Sequence, residues 1–221
     1  EPYRRQRQMC IRDRGRLEGF VEELLDFSRL QSGRMKLRLA KTDILAELEE
    51  TLFTFIERAL REGYDVRTSI PEVPSVANAD ANRLKQVFMN ILDNALKYSR
   101  PGSKIFVKAG FVKRESKDFV QIIIADQGCG ISAEDLPHVK EKFYKANVSV
   151  RGSGIGLAVT NEIVSLHGGT LDIDSVEGKG TLVTILLPLE QAPNAEDVQN
   201  AQNQQESTRE AKPCLLYTSD A

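Results

Sequence analysis

Asn90 and Asn94, four residues apart, with Lys97 three residues further on, form the first group in this chain whose types and spacing could do chemistry. Steps of three and four nearly complete a helical turn, so these side chains share one face. That face lies beside an apolar stripe of Leu84, Val87, Phe88, Ile91, Leu92 and Ala95. Amide oxygens suit a hard cation such as Mg²⁺, which takes few protein ligands and keeps water or phosphate oxygens. The Lys97 ammonium would add charge for a phosphate. Taken alone, the face also describes an ordinary solvated one of caps and salt bridges. The second group is Asp126-Gln127-Gly128-Cys129-Gly130-Ile131, directly after the apolar run Phe119–Ala125. A carboxylate at a strand's C-terminal end accepts from adenine's exocyclic amine and repels guanine's carbonyl, and ligands of α/β sheets bind at such ends. A charged hydrogen bond of this kind is worth about 1.5–3 kcal/mol, enough to select a base. Gly128 and Gly130 would let backbone approach the ring closely. The third group, Arg151-Gly152-Ser153-Gly154-Ile155-Gly156-Leu157, opens a helix. Its glycines would leave backbone N–H groups and a positive dipole end for a phosphate chain. Lys142, Lys145 and Arg151 put cations around that loop.

These residues need elements to hold them. Apolar spacing predicts helices over Leu17–Leu30, from a Thr42-Asp43 cap to about Leu60, over Ala81–Tyr98 and over Gly156–Leu166. Strands are predicted at Met35–Leu39, Val66–Ile70, Val76–Ala79, Ile105–Phe111, Phe119–Ala125, Leu171–Ile173 and Thr181–Leu187. The nearly continuous apolar character of Phe119–Ala125 marks a central strand. Mixed helices and strands, with the last strands joined by short turns, predict a two-layer α/β sandwich, a mixed sheet with helices on one face. The glycine loop at Gly152 is neither a Rossmann fingerprint, since no strand directly precedes it, nor a Walker A loop, since no Gly-Lys-Ser/Thr ends it.

The chain has 221 residues, 41% of them hydrophobic and 28% charged, the balance of a globular domain. Lys plus Arg number 30 against 32 Asp plus Glu, for a net charge of −2, which argues against a nucleic-acid partner. Apolar runs such as Ile122–Ala125 fall far short of the roughly 20 residues that span a bilayer. Cys10, Cys129 and Cys214 are too scattered for a CxxC zinc site, and a reduced, cytoplasmic setting is expected. Residues 1–14 and the closing Cys214–Ala221 match nothing else in the chain and are read as non-native, with residues 191–212 expected to be disordered.

In one order, the chain carries Asn90-Ile-Leu-Asp-Asn94-Ala-Leu-Lys97-Tyr98, Asp126-Gln-Gly-Cys-Gly130-Ile, Lys142-Phe-Tyr-Lys145 and Gly152-Ser-Gly-Ile-Gly156-Leu. These resemble the N, first-glycine, F and second-glycine boxes of the sensor histidine kinase ATPase domain, over about residues 17–189. His167-Gly168-Gly169 and Glu177-Gly-Lys-Gly180-Thr181 look like that family too. The resemblance implies the ATP-binding α/β sandwich shared with gyrase B, MutL and the large heat-shock chaperones. By it, Asn90 and Asn94 hold Mg²⁺, Tyr98 packs by adenine, Asp126 reads its amine and Thr181 assists. Asn90, Lys97, Lys145 and Arg151 would then serve phosphoryl transfer. Gly128, Gly130 and Ile131 would line the base, Gly152, Ser153, Gly154, Ile155, Gly156 and Leu157 the phosphates, and residues 144–153 a short lid.

Two departures matter. Residues 15–34 are similar to the second helix of the family's dimerisation hairpin, whereas the first helix and its phosphate-accepting histidine are absent. Residues 35–190 would be the catalytic domain. His138 and His167 are read as structural. Lys145 stands where many relatives carry Arg, keeping charge but losing bidentate geometry. The expected function is the ATP-dependent half of a two-component histidine kinase. Its expected partners are its parent's histidine-bearing hairpin in a homodimer and a response regulator, in a parent that is membrane-anchored in many relatives. An anti-sigma-type serine kinase and a nucleotide-sensing module without kinase activity are the alternatives. Cys129 is read as a small filler, with no basic neighbour to activate it.

Overall fold

In chain order the elements are β1 (Ala40–Asp43), α1 (Ile44–Arg61), β2 (Asp65–Ser69), β3 (Val76–Ala79), α2 (Ala81–Tyr98), β4 (Lys104–Arg114) and β5 (Lys117–Asp126). They continue with α3 (Gly156–Leu166), β6 (Thr170–Val176) and β7 (Gly180–Pro188). This computed structural model describes residues 35–146 and 153–190, together with Leu25, Ser28, Arg29 and Ser32. The helix expected over Leu17–Leu30 lies almost wholly outside the described residues, as do both terminal segments.

Five strands form one sheet in the order β2-β4-β5-β7-β6, and β1 pairs with β3 in a separate two-stranded sheet. Only β2 and β4 run parallel; every other pair in the large sheet is antiparallel, so the sheet is mixed, as expected. Strand β5 is central, in line with its apolar run. Alternation shows which face is covered: Ile105, Val107, Val120, Ile122, Ile124, Val183 and Ile185 are buried against the helices, while Gln121, Ile123 and Ala125 are only half-buried. Leu48, Leu52 and Phe55 from α1 and Leu84, Phe88, Ile91 and Leu92 from α2 complete that core. Burying each such side chain contributes about 1.5–3 kcal/mol. The helices themselves are tied by Arg58 to Asp93 and by Lys85 to Glu47 and Glu50.

The α1 cap is Asp43, as predicted: its Oδ1 accepts from Leu45 N at 3.2 Å, and also from the Ser75 hydroxyl at 2.9 Å. The strand predicted at Met35–Leu39 does not form there; the chain pairs only from Ala40 onward. A ladder needs a partner, and β3 offers four residues, Val76–Ala79, all matched to Ala40–Asp43. Upstream, Met35 is buried in the core and Arg38 N donates to the Asp80 carboxylate at 2.8 Å. At the other end β6 runs longer than the predicted Leu171–Ile173, with Asp172 and Asp174 exposed on its outer side.

Strands β4 and β5 are joined by Glu115 and Ser116, both at positive φ, 48° and 67°. A two-residue turn of this kind favours Asn-Gly, and neither residue is glycine. Ser116→Gly is therefore expected to stabilise the fold by about 0.5–1 kcal/mol, seen as a rise of about 1–4 °C in melting temperature. A fall would show that the turn carries no such strain.

Candidate functional site

The C-terminal half of α2, the end of β5, the start of β7 and the segment leading to α3 line a cleft that opens to solvent. Its walls are largely apolar: Ile91, Ala95, Ile124, Leu157, Ile173 and Val183. Its polar groups come from Asn94, Tyr98, Asp126, Lys145 and Thr181. An apolar slot with a few convergent polar groups is the usual form of a small-molecule site.

Asp126 ends β5 at the cleft. Its Oδ1 accepts from Gly128 N at 2.8 Å and from Thr181 N at 3.3 Å. Among the described residues Oδ2 makes no hydrogen bond, which leaves it for a ligand. Burial raises the Asp126 pKa above the ordinary aspartate value, and the two backbone N–H groups pull partly against that shift. Tyr98 is half-buried beside it, and its phenol is likewise raised, chiefly by desolvation.

The glycines of the Asp126 loop also serve a contact within the protein. A Cβ on Gly128 would lie 2.6 Å from Tyr98 O, and one on Gly130, at φ +67°, would lie 2.1 Å from Val176 O. They therefore let the loop pack against protein backbone, on α2 and on the β6–β7 turn. Cys129 N donates to Tyr98 O at 3.1 Å, and Gly178 N donates to Cys129 O at 2.7 Å. The Cys129 side chain is exposed at the rim, so the expectation of a small filler is corrected: its backbone ties the loop while its thiol meets solvent.

The cleft brings Asn94, Tyr98, Asp126, Gly130, Ile131, Lys145, Leu157 and Thr181 together, and Gly128 is buried behind them. Asn90 sits a turn back, where its amide nitrogen donates to Thr160 Oγ1 of α3 at 3.2 Å. Gly156 stands next to it: a Cβ there would be 4.0 Å from Asn90 Nδ2. Lys97 is exposed outside the cleft lining, its ammonium 5.0 Å from the Tyr98 ring centre. Ile155 is buried in the core, so only its backbone can face a ligand. Gly154 O accepts from Phe143 N at 3.0 Å, and Ser153 Oγ accepts from Ile155 N at 3.2 Å. Among the described residues no side chain caps the start of α3, and helix N-termini of this kind offer first-turn N–H groups to an anion. Arg151 and Gly152, and most of the lid expected over residues 144–153, lie outside the described residues.

Two supports had no clear signature beforehand. Ser175 Oγ accepts from Ile131 N at 2.9 Å and touches Gly180 O and Thr181 Oγ1, lashing the Asp126 loop to β7. Asp135 receives the hydroxyls of Ser132, at 2.7 Å, and Tyr144, bonds that hold its carboxyl below the usual range. That pairing anchors the segment that carries Lys145. The Ser132-x-x-Asp135 spacing was a visible hint of a local turn; nothing in sequence linked it to Tyr144.

Neither histidine lines the cleft. His167 Nδ1 lies 2.7 Å from Ile163 O and Nε2 accepts from Asp80 N at 3.0 Å, so it joins the end of α3 to the cap of α2. His138 pairs with Glu141 at 2.7 Å on the exposed side. Among the described residues no helix is long and apolar enough to cross a membrane.

Residues 79–191 match the family described as histidine kinase-, DNA gyrase B-, and HSP90-like ATPase. The histidine protein kinase DivJ of Caulobacter vibrioides is 30% identical over 183 residues, covering 81% of this chain and 30% of DivJ. The solved mycobacterial sensor histidine kinase MprB is 28% identical, with a TM-score of 0.60, covering 69% of this chain and 100% of that one. Full-length ShkA in complex with AMPPNP, at 24% identity and a TM-score of 0.68, shares the fold over 81% of this chain and 37% of its own. The chain spans between 21% and 30% of the length of the first curated relatives it matches.

Proposed function

Because the chain belongs to the histidine kinase-, DNA gyrase B-, and HSP90-like ATPase family, we propose that its cleft binds Mg·ATP and delivers the γ-phosphoryl group to a histidine on another segment of its parent kinase. The observation that carries this reading is Asp126, half-buried at a central strand end, with Oδ1 held by two backbone N–H groups and Oδ2 left for an adenine amine. Tyr98, Ile124 and Val183 supply flat and apolar walls for the base.

The donor set fits Mg²⁺ better than a metal held by protein alone. Among the described residues no group of three or more His, Cys, Asp or Glu could hold a metal ion. Asn90 and Asn94 offer amide oxygens between the base pocket and the start of α3, where phosphates would lie, and Mg²⁺ usually takes few protein ligands. Such an ion would neutralise phosphate charge during transfer. Lys97, Lys145 and Arg151 are assigned the remaining phosphate charge, and the backbone of Gly152 to Leu157 the phosphate cradle. An asparagine at position 90 is a poor general base for water, which favours transfer over hydrolysis. Positioning would then supply most of the rate.

Residues 15–34 are assigned to the second helix of a dimerisation hairpin, and residues 35–190 to the catalytic domain. The histidine-bearing hairpin of a homodimeric parent and a response regulator are the proposed partners, with this region on the cytoplasmic side. The experiment uses γ-labelled ATP and Mg²⁺. The chain alone should take no acid-labile label on His138 or His167, and label should pass to its parent's histidine-bearing hairpin when that is added. Asn94→Ala should abolish the transfer and the Mg²⁺ dependence of nucleotide binding, while the melting temperature without nucleotide stays within about 2 °C, as for a change costing about 0.5 kcal/mol. Label on His138 or His167, lost when that histidine is replaced, would overturn the reading.

A further inference from the structure

Three groups converge on one hydroxyl, at the cross-strand pair Ser175 and Thr181. Ile131 N lies 2.9 Å from Ser175 Oγ, Gly180 O lies 2.8 Å from it, and Thr181 Oγ1 lies 3.0 Å from it. A serine hydroxyl has one proton and two lone pairs. One lone pair is taken by the Ile131 N–H. Gly180 O can only accept, so it claims the proton. The second lone pair then receives the proton of Thr181, and all three contacts become hydrogen bonds. If Ser175 instead donated to Thr181, its bond to Gly180 O would be forfeited and only two of the three contacts would be hydrogen bonds.

The consequence lies in the cleft, which Thr181 lines. With its proton committed to Ser175, Thr181 Oγ1 shows a ligand only lone pairs. Asp126 Oδ2, on the neighbouring strand, shows lone pairs too. We infer that Ser175 is a specificity-determining positioning residue: it turns the Thr181 hydroxyl into an obligate acceptor, so that the cleft takes a base with an amine at the purine 6-position and rejects one with a carbonyl there. This rests on the reading of the cleft as a purine nucleotide site. Without the Ser175 hydroxyl, Thr181 is free to rotate its proton into the cleft and donate to a 6-carbonyl.

The probes are Mg·ATP and Mg·ITP, which differ at the purine 6-position in amine against carbonyl, with the ring nitrogen beside it following. Calorimetric titration of the whole chain gives the affinity ratio, with a thermal melt of each variant. Ser175→Ala should narrow the ATP-to-ITP ratio by about fivefold to tenfold, mainly by improving ITP binding. Ser175→Thr, which keeps the hydroxyl, should hold the ratio. In a Thr181→Val background the Ser175→Ala change should leave the ratio unmoved, since no hydroxyl remains to be oriented. A merely structural Ser175 would weaken both nucleotides alike, and an unchanged ratio in Ser175→Ala overturns the inference. Should the alanine variant fail to fold, Thr181→Val decides: it must narrow the ratio by itself, and an unaltered ratio overturns the inference. A wild-type chain that binds neither nucleotide would overturn the reading of the cleft, and the inference with it. Wild-type preference for ATP combined with an unchanged variant ratio would overturn the inference alone.

Discussion

Asp126→Asn is expected to weaken Mg·ATP binding by about tenfold to a hundredfold, the value of a charged hydrogen bond of about 1.5–3 kcal/mol. The effect should be larger than simple loss of charge, because the loop dictates how an asparagine would sit. Gly128 N and Thr181 N both donate to Oδ1, so the amide oxygen must take that place. The amide NH₂ is then forced to the Oδ2 position, where it faces the adenine amine as a second donor. The fold should tolerate the change, since size is conserved and both backbone bonds keep an acceptor. A pH dependence accompanies it. Burial raises the pKa of Asp126 in the folded protein, so the fold without nucleotide favours the protonated form and gains stability as the pH falls through that value. Binding needs the ionised form. Affinity for ATP should therefore decline on acidification earlier than an ordinary aspartate near 3.9 would allow, and the asparagine variant should lack that component. Calorimetric titration from about pH 8 to about pH 5 reads both. Equal ATP affinity in Asp126→Asn would remove Asp126 from the site.

Gly180→Ala should cost about 3–5 kcal/mol, combining backbone strain with overpacking. Gly180 has φ +126°, and a Cβ there would meet Asp126 O at 2.0 Å and Gln127 Cα at 3.1 Å. Both are backbone atoms of the loop that carries Asp126, so no flexible side chain can yield. The strand β7 would have to move away from the end of β5, and Thr181 N would withdraw from Asp126 Oδ1 with it. For a domain of this size the melting temperature should fall by about 10 °C, and ATP binding should be lost ahead of global unfolding. Gly178→Ala is the control: its φ is +78°, but nothing lies within 4 Å of the added Cβ. It should cost about 1 kcal/mol of left-handed strain and leave nucleotide binding intact. A Gly180→Ala protein that melts and binds like wild type would show that the two strands have slack at this point.

Periodicity alone was sufficient for α2, where Leu84, Val87, Phe88, Ile91, Leu92 and Ala95, the stripe read from spacing, are all buried, and Leu96 joins them. It was sufficient also for the central place of β5, since a strand covered by neighbours on both edges and helices on one face can be apolar almost throughout. Both are short-range properties, because a helical turn or a strand pleat sets which side chains share a face. The grouping of Asn94 and Tyr98 with Asp126 and Thr181 was read only through the likeness of the ordered motifs to a known family. The remainder depended on partners far along the chain. Met35–Leu39 alternates like a strand, yet β3 is only long enough to pair with Ala40–Asp43. Ile155 reads as part of a phosphate loop, and closure of α3 onto the sheet buries it in the core. Asn90 shares a helical face with Asn94, but Thr160, 70 residues on, draws its amide toward α3. Asp126 gains Thr181 as a donor from 55 residues away, and Ser175 becomes a hinge between two loops only because β6 and β7 pair in one register. A hydrogen-bond donor buried by closure must find an acceptor there, and its identity is decided by which strands meet, not by the residues beside it in sequence.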